Sequence, residues 1–452
     1  MANIAQIVRT RLGDFWWYTV LQFVAARCGD FINAFIGLWL VPKYVGMEEL
    51  GAVLPLTGFA AFLALPVSAF STAFMKHVNV LAVHEEWGRL KTMLRSVFLA
   101  AGTFLVFAFL VVQFVLPHVL ERIRVEKGAL GVVIVASALV GTVAPIYLNT
   151  LQVMKRFTSV SVINLFCAPV RLVVMLVTMP FRALTGYFVG QAAGPCFQIG
   201  ASIFALRHLL GSSVKSEPYW TKPVVWGFLR YLLLVSAAMF AGGLVAFVEP
   251  LIIRQRLSGV DSAAYYMISR FAEIGTYLGL TLSTIVFPYV SEARESGENG
   301  NRFIVRSMFG AIGFGIVCAI GFSVFGRWAF SFLPNGATYA RYVPELVALT
   351  LILSVGVAVM CYTTGEMAAN RFRWLGWFIP VNLLYVATLL VLTGHGYLHG
   401  FVPESAISAI VSLNACRLRV LLGVMGLFAV IKLMCVGGQL WFRKRTAVRI
   451  GI

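Results

Sequence analysis

Charged residues are scarce in this sequence. They make up 12% of 452 residues, against 60% hydrophobic residues and a mean hydropathy of +0.87. A soluble domain carries roughly twice that share of charge. Apolar stretches long enough to cross a bilayer, at about 20 residues each, recur along nearly the whole chain. The composition therefore predicts an all-α membrane protein with many spans and excludes a soluble enzyme.

Motifs for catalysis and for metal binding are also missing. The seven cysteines lie singly, without CxxC or Cys/His spacing, so neither a disulfide framework nor a zinc site is indicated. No Walker-type or GxSxG-type motif is present, which argues against ATP hydrolysis and acyl transfer. The loops are too short for a soluble catalytic domain. We expect no cofactor, no metal and no enzymatic activity.

The apolar stretches predict twelve transmembrane helices. Their ranges are 15–41, 49–75, 93–116, 128–151, 159–181, 183–209, 225–251, 263–290, 305–326, 345–369, 374–394 and 418–441. The connection 395–417 could form an interfacial helix. The basic N-terminal segment leads into a stretch too long for a signal-peptide core, so we expect a retained first span.

The basic residues predict the orientation. Placing both termini in the cytoplasm puts most of the 36 Lys and Arg residues on the cytoplasmic side. The net charge of +18 then reflects the positive-inside rule rather than nucleic-acid binding. The sequence predicts a multi-pass protein of the cell inner membrane.

The two halves of the chain resemble each other. GMEELGAVLPL, from Gly46, matches GVDSAAYYMIS, from Gly259, and YLNTLQVMKRF (147–157) matches YTTGEMAANRF (362–372). Matches in the same order indicate internal duplication. We predict an N-terminal six-helix lobe (1–210), a cytoplasmic linker (211–224), and a C-terminal six-helix lobe with a basic cytoplasmic tail (225–452).

Two segments of the sequence resemble those of a known group of membrane proteins. LWLVPKYVGMEELGAV and AANRFRWLGWFIPVNLL are similar to segments of polysaccharide-unit flippases, which belong to the multidrug/oligosaccharidyl-lipid/polysaccharide (MOP) exporter superfamily. The resemblance implies two pseudo-symmetric six-helix lobes, as in MOP and MATE proteins, around a central cavity. It also implies a lipid-linked anionic saccharide as substrate, membrane lipids and glycan assembly proteins as partners, and a monomer.

A few ionisable residues lie deep in the predicted spans, where a charge costs several kcal/mol. They are Arg27, Asp30, Arg171, Arg270, Glu273 and Lys432. Two pairs have i, i+3 spacing, which places opposite charges on one helix face. Such a face must meet protein or a water-filled cavity. Glu249 and Glu366 lie nearer span ends, and we expect them to reach an interface.

The resemblance suggests roles for these residues. Related flippases carry cations on the first and eighth spans, so Arg27 and Arg270 become the leading contacts for the substrate pyrophosphate. Arginine presents a planar fork that binds phosphate oxygens in pairs. Asp30 and Glu273 would hold the arginines in place. The remaining two cations, on spans 5 and 12, would extend a positive cavity.

Other interpretations remain open at this stage. Each charged pair could equally be a structural ion pair, and Asp30 could couple protons as an acid on an early span does in MATE transporters. The whole protein could be a cation- or proton-coupled multidrug antiporter of the MATE type, a membrane-embedded polysaccharide polymerase or ligase, or a transport-inactive scaffold. The preferred hypothesis is a flippase that moves polyprenyl-pyrophosphate-linked oligosaccharide to the outer leaflet by alternating access, for cell-surface polysaccharide biosynthesis.

Overall fold

The computed structural model describes most of the chain. The described ranges are 24–83, 88–96, 129–153, 156–210, 220–277, 300–369, 371–392 and 418–450, with shorter stretches between them. Within these ranges the chain forms helices joined by short turns and bends, and it contains no strand. The prediction of an all-α protein is confirmed.

Most of the helices are long and rich in apolar residues. We number them α1 (Val24–Tyr44), α2 (Met47–Val83), α3 (88–96), α4 (Ala129–Val153), α5 (Phe157–Thr178), α6 (Ala183–Leu210), α7 (Lys222–Arg256), α8 (Gly259–Ile274), α9 (Asn301–Ser331), α10 (Val343–Ala368), α11 (Leu375–Leu392) and α12 (Leu418–Ile450). The segment Ile36–Leu40 inside α1 is a π-helix. Two short helices, Gly336–Tyr339 and Ala340–Tyr342, precede α10.

The helices agree with the predicted spans. Nine segments of the described residues are long and apolar enough to cross a bilayer, and the shorter Leu375–Val391 is also apolar. Most of 97–116 in predicted span 3, parts of 278–290 in span 8 and the connection 395–417 lie outside the described residues. Several helices, α7 and α9 among them, extend beyond the predicted boundaries, since apolarity marks the membrane core rather than the helix ends.

The chain divides into two compact units. The first unit contains residues 1–36 and 59–240, and the second contains 37–58 and 241–452. These divisions fall inside α1, α2 and α7. The lobe boundaries drawn from the sequence stay a prediction.

The first unit has its own hydrophobic core. Helices α2 to α6 contribute fully buried side chains, which include Phe74, Leu90, Met93, Ile146, Leu151, Val160 and Leu206. Trp220 packs against this cluster, and its ring lies 5.7 Å from the ring of Phe228. The segment before α7 is therefore anchored by an aromatic side chain.

The second unit is held together by aromatic contacts and by small residues. The Phe271 and Phe330 rings stack edge to face with centroids 4.9 Å apart. Trp374 is 1% exposed. Where α10 meets its neighbours, Gly275 and Gly315 leave room for Thr350 and Ser354, which allows the helix backbones to approach closely.

Candidate substrate-binding residues

Helix α1 exposes two opposite faces of different chemistry. Val24, Phe31 and Phe35 are exposed on one side, as suits contact with lipid. At 100° per residue, Asp30 and Asn33 lie on the opposite side, and both are at least partly exposed. An exposed polar face on an otherwise apolar helix is expected to meet water rather than lipid.

Arg27 lies at the edge of this polar face and pairs with Asp30. One Nη of Arg27 is 3.0 Å from the Asp30 carboxylate, and the two side chains are 32% and 30% exposed. Gly29 packs closely on α5, since a Cβ built there would lie 4.0 Å from the Cβ of Ala168. The predicted i, i+3 pair therefore forms, and it stays partly accessible.

Arg171 lies between α5 and α6. Its Nη1 donates to Gln191 Oε1 at 3.0 Å, and the Gln191 amide donates to the Tyr187 hydroxyl at 2.8 Å. Gly190 and Gly194 let α6 approach α5 at this level. The sequence around Arg171 contains no acidic residue. Gln191 supplies a partner from the neighbouring helix, which no local spacing could indicate.

Arg270 and Glu273 form the second predicted pair. Arg270 Nη1 donates to both Glu273 oxygens, at 3.0 and 2.8 Å. Their side chains are 22% and 37% exposed, whereas residues 262–269 of α8 are all buried. Tyr277, which follows the turn after the end of α8, is also partly exposed. The last turn of α8 thus presents a polar, accessible pair.

The Arg270 side chain is positioned by the π-helical part of α1. A Cβ at Gly37 would lie 3.1 Å from Arg270 Cδ, so the arginine stem crosses directly over this glycine. The Tyr266 hydroxyl donates to the Gly37 carbonyl at 3.0 Å, and the guanidinium lies 5.3 Å from the Tyr266 ring centroid. A π-helix shifts the backbone register, and such segments occur frequently at functional sites.

Because of this packing, we expect Gly37 to tolerate no larger side chain. Changing Gly37 to valine should displace the Arg270 stem and lower transport by roughly tenfold, because overpacking costs about 1–3 kcal/mol. The measurement is transport by reconstituted protein at equal folded amount. Gly356→Val on α10 is the matched control, since a Cβ there meets no atom within 4 Å. If both variants have equal activity, Gly37 does not position Arg270 for its function.

Lys432 lies against an aromatic side chain of a neighbouring helix. Its Nζ lies 5.7 Å from the Tyr385 ring centroid. Tyr265 and Tyr385 each donate a hydroxyl hydrogen bond to Glu249 at 2.7 Å. Glu249 is only partly exposed and is held by protein groups. The sequence missed this cluster because its members come from four separate helices.

Glu366 does not reach an interface as the sequence suggested. The side chain is 0% exposed and lies within the second unit. Its position near the end of α10 was misleading, because neighbouring helices cover that end. The prediction of an interfacial Glu366 is wrong.

The first unit holds the Arg27–Asp30 pair and the Arg171–Gln191 contact, and the second holds the Arg270–Glu273 pair and Lys432 beside Tyr385. Among the described residues no group of three or more His, Cys, Asp and Glu side chains is arranged to hold a metal ion. The roles of the six residues stay predictions.

Comparison with solved structures finds several membrane transporters that have a similar fold. A multidrug resistance MATE family transporter of the MOP superfamily, in an inward-facing conformation, aligns with a TM-score of 0.65 at 13% identity, over 93% of this chain and 96% of that one. A mutant of the Vibrio cholerae MATE transporter VcmN gives 0.63 at 12% identity, covering 96% and 98%. The lipid II flippase MurJ, in an inward closed conformation, gives 0.55 at 13% identity, covering 93% and 91%.

These likenesses define the fold. The chain is an all-helical membrane protein with the architecture of MATE transporters and of MurJ. Neither a family model nor a curated protein sequence matches it. At such low identity the fold is shared while the substrate is open.

Proposed function

We propose that this protein is a MOP-type flippase that translocates polyprenyl-pyrophosphate-linked oligosaccharide units for cell-surface polysaccharide biosynthesis. The observation that carries the proposal is the pairing of a partly exposed arginine with an acid on α1 and again on α8. The fold shared with MATE transporters and with a lipid II flippase supports it. Arg27 and Arg270 would contact the pyrophosphate.

The chemistry of the two pairs suits a substrate that is bound and then released. In the absence of substrate, Asp30 and Glu273 neutralise the arginines, which limits the cost of holding charge in a membrane. An arriving pyrophosphate carries about two negative charges and offers several oxygens to each guanidinium. On binding, each arginine exchanges its carboxylate partner for the pyrophosphate. The affinity therefore stays moderate, as a transport cycle requires.

A drug antiporter of the MATE type is the second candidate. The neighbouring structures that include a multidrug resistance transporter favour it. Export of cationic drugs requires an accessible acid, and Asp30 is the acid exposed on α1. Its contact with Arg27, at 3.0 Å, opposes that role because the guanidinium already satisfies the carboxylate.

Reconstitution into liposomes tests the two functions against each other. We expect the purified protein to move a fluorescent polyprenyl-pyrophosphate disaccharide between leaflets, and an excess of a lipophilic cation such as ethidium should leave that movement unchanged. Uptake of ethidium against an imposed proton or sodium gradient, without movement of the lipid-linked sugar, would overturn the flippase in favour of the antiporter.

A further inference from the structure

Helices α5 and α6 of the first unit carry polar side chains on the sides that face each other. Asn164 and Arg171 lie two turns apart on one face of α5, and Gln198 and Gln191 do the same on α6. The Gln198 amide donates to Asn164 Oδ1 at 3.2 Å, and Arg171 donates to Gln191 at 3.0 Å. The α5–α6 contact therefore has two polar levels, about 10 Å apart along the helices.

The Asn164–Gln198 pair lies on the inner side of α5. One turn from Asn164, Ala168 meets α1, where a Cβ on Gly29 would lie 4.0 Å from the Cβ of Ala168. Large apolar side chains are strongly exposed on the other side of α5, as suits contact with lipid, and they are Val162, Phe166, Val173 and Val177. Asn164 and Gln198 therefore face helices of their own unit, yet both stay partly exposed. A ligand within the unit can reach them.

The hydrogen bond between the two amides uses only part of what they offer. An amide has a carbonyl oxygen that accepts and an NH2 group with two donors. The Asn164–Gln198 contact occupies one oxygen and one N–H, and the part of the chain that the structure describes supplies no partner for the Asn164 NH2 group or the Gln198 oxygen. A pair that served only to join two helices would leave these groups unsatisfied in the membrane, which costs free energy.

A saccharide offers the groups that complete this pair. Every sugar hydroxyl donates and accepts, and moving it out of water without a hydrogen bond is costly. The free amide oxygen can accept from one hydroxyl while the neighbouring NH2 group donates to the next, and the same two groups match an acetamido substituent. The amides do this without adding charge to the membrane interior.

We propose that Asn164 and Gln198 bind the sugar of the transported lipid through its hydroxyl or acetamido groups. This inference rests on the proposed function, because it requires a substrate that carries a saccharide. It adds a specificity role that the arginines do not supply. A glycosylated lipid and the bare prenyl pyrophosphate carry the same anionic group, so only contacts with the sugar distinguish them.

The experiment compares two probes by calorimetric titration of the purified full chain in detergent. One probe is farnesyl pyrophosphate, and the other is farnesyl pyrophosphate linked to a disaccharide of N-acetylglucosamine. We expect wild-type protein to bind both and to bind the glycosylated probe more tightly. Asn164→Leu combined with Gln198→Met should weaken binding of the glycosylated probe by at least about tenfold and leave the affinity for the bare probe within twofold.

The double variant is chosen so that the protein still folds. Replacing both partners of a hydrogen bond by apolar groups of similar shape is nearly neutral for stability, whereas replacing one leaves the other unsatisfied. Gln198→Met alone gives the same test if the double variant folds poorly. Asn382→Leu on α11 is the matched control, since this amide is 1% exposed and donates to a carbonyl of its own helix, so both affinities should stay at wild-type values.

The two probes separate failure of this inference from failure of the proposed function. If wild type binds both probes and the amide variants weaken both equally, or neither, the amides only join helices and the inference is overturned while the flippase stands. The inference is also overturned if wild type gains no affinity from the sugar. If wild type binds neither probe, the proposed function fails and the inference fails with it.

Discussion

Replacing Arg270 by alanine should lower transport of a lipid-linked pyrophosphate by about 100-fold or more while the protein still folds. Charge-assisted hydrogen bonds contribute about 1.5–3 kcal/mol each, and every 1.4 kcal/mol is a factor of ten. The loss is compounded because Glu273, which now accepts two hydrogen bonds from Arg270, is left as an uncompensated negative charge beside the substrate. The measurement is initial flipping rate in liposomes at matched protein density.

Three variants isolate the cause of this loss. Arg270→Lys keeps the charge but not the planar fork, so we expect an intermediate rate. Combining Arg270→Ala with Glu273→Gln removes the unpaired acid and should recover part of the activity. Arg302→Ala removes an exposed arginine at the start of α9 and should have little effect. Wild-type rates for Arg270→Ala would show that the α8 pair is a structural ion pair.

Residues close together in sequence were predictable. The spans follow from runs of apolar residues, and the structure has helices at the described parts of each. The two charged pairs follow from i, i+3 spacing, since residues three apart lie on one face of a helix. Both pairs form, with N···O distances of 3.0 Å on α1 and 2.8 Å on α8.

Contacts between different helices were not predictable. Gln191 binds Arg171 across the α5–α6 contact, and Gly37 supports Arg270 from another helix. Neither contact has a fixed sequence spacing, because it depends on how the helices pack. The presence of a π-helix at Ile36–Leu40 likewise has no pattern of apolar residues that distinguishes it from an α-helix.

The surroundings of Glu249 and Glu366 were likewise not predictable from the sequence. Both acids lie toward the ends of apolar runs, where an exposed carboxylate costs little, so the sequence favoured an interfacial position. In the structure Glu249 accepts hydrogen bonds from two tyrosine hydroxyls, and the Glu366 side chain is fully buried. The donors to Glu249 come from other helices, 16 and 136 residues away in the chain, so no local pattern in the sequence indicates them.

The membrane potential should strongly affect how the substrate is distributed between the two leaflets. A substrate with about two negative charges gains about 2.3 kcal/mol per charge per 100 mV when it moves to the positive side. At equilibrium, a potential of 100 mV should therefore make the lipid-linked pyrophosphate roughly three orders of magnitude more abundant in the leaflet on the positive side. A potassium gradient with valinomycin sets the potential, and a membrane-impermeant enzyme that modifies the sugar reports the outward-facing fraction.

The direction of this effect separates the mechanisms. An anion moves toward the positive compartment whichever way the protein is inserted, so mixed orientation in liposomes does not blur the result. A substrate with a single phosphate should show a proportionately weaker dependence, because the work scales with the charge moved. If the arginines cross the field together with the substrate, their positive charge cancels part of the work and the distribution flattens. A distribution indifferent to the potential but set by a proton or sodium gradient would mean that ion coupling, rather than the substrate's own charge, drives transport.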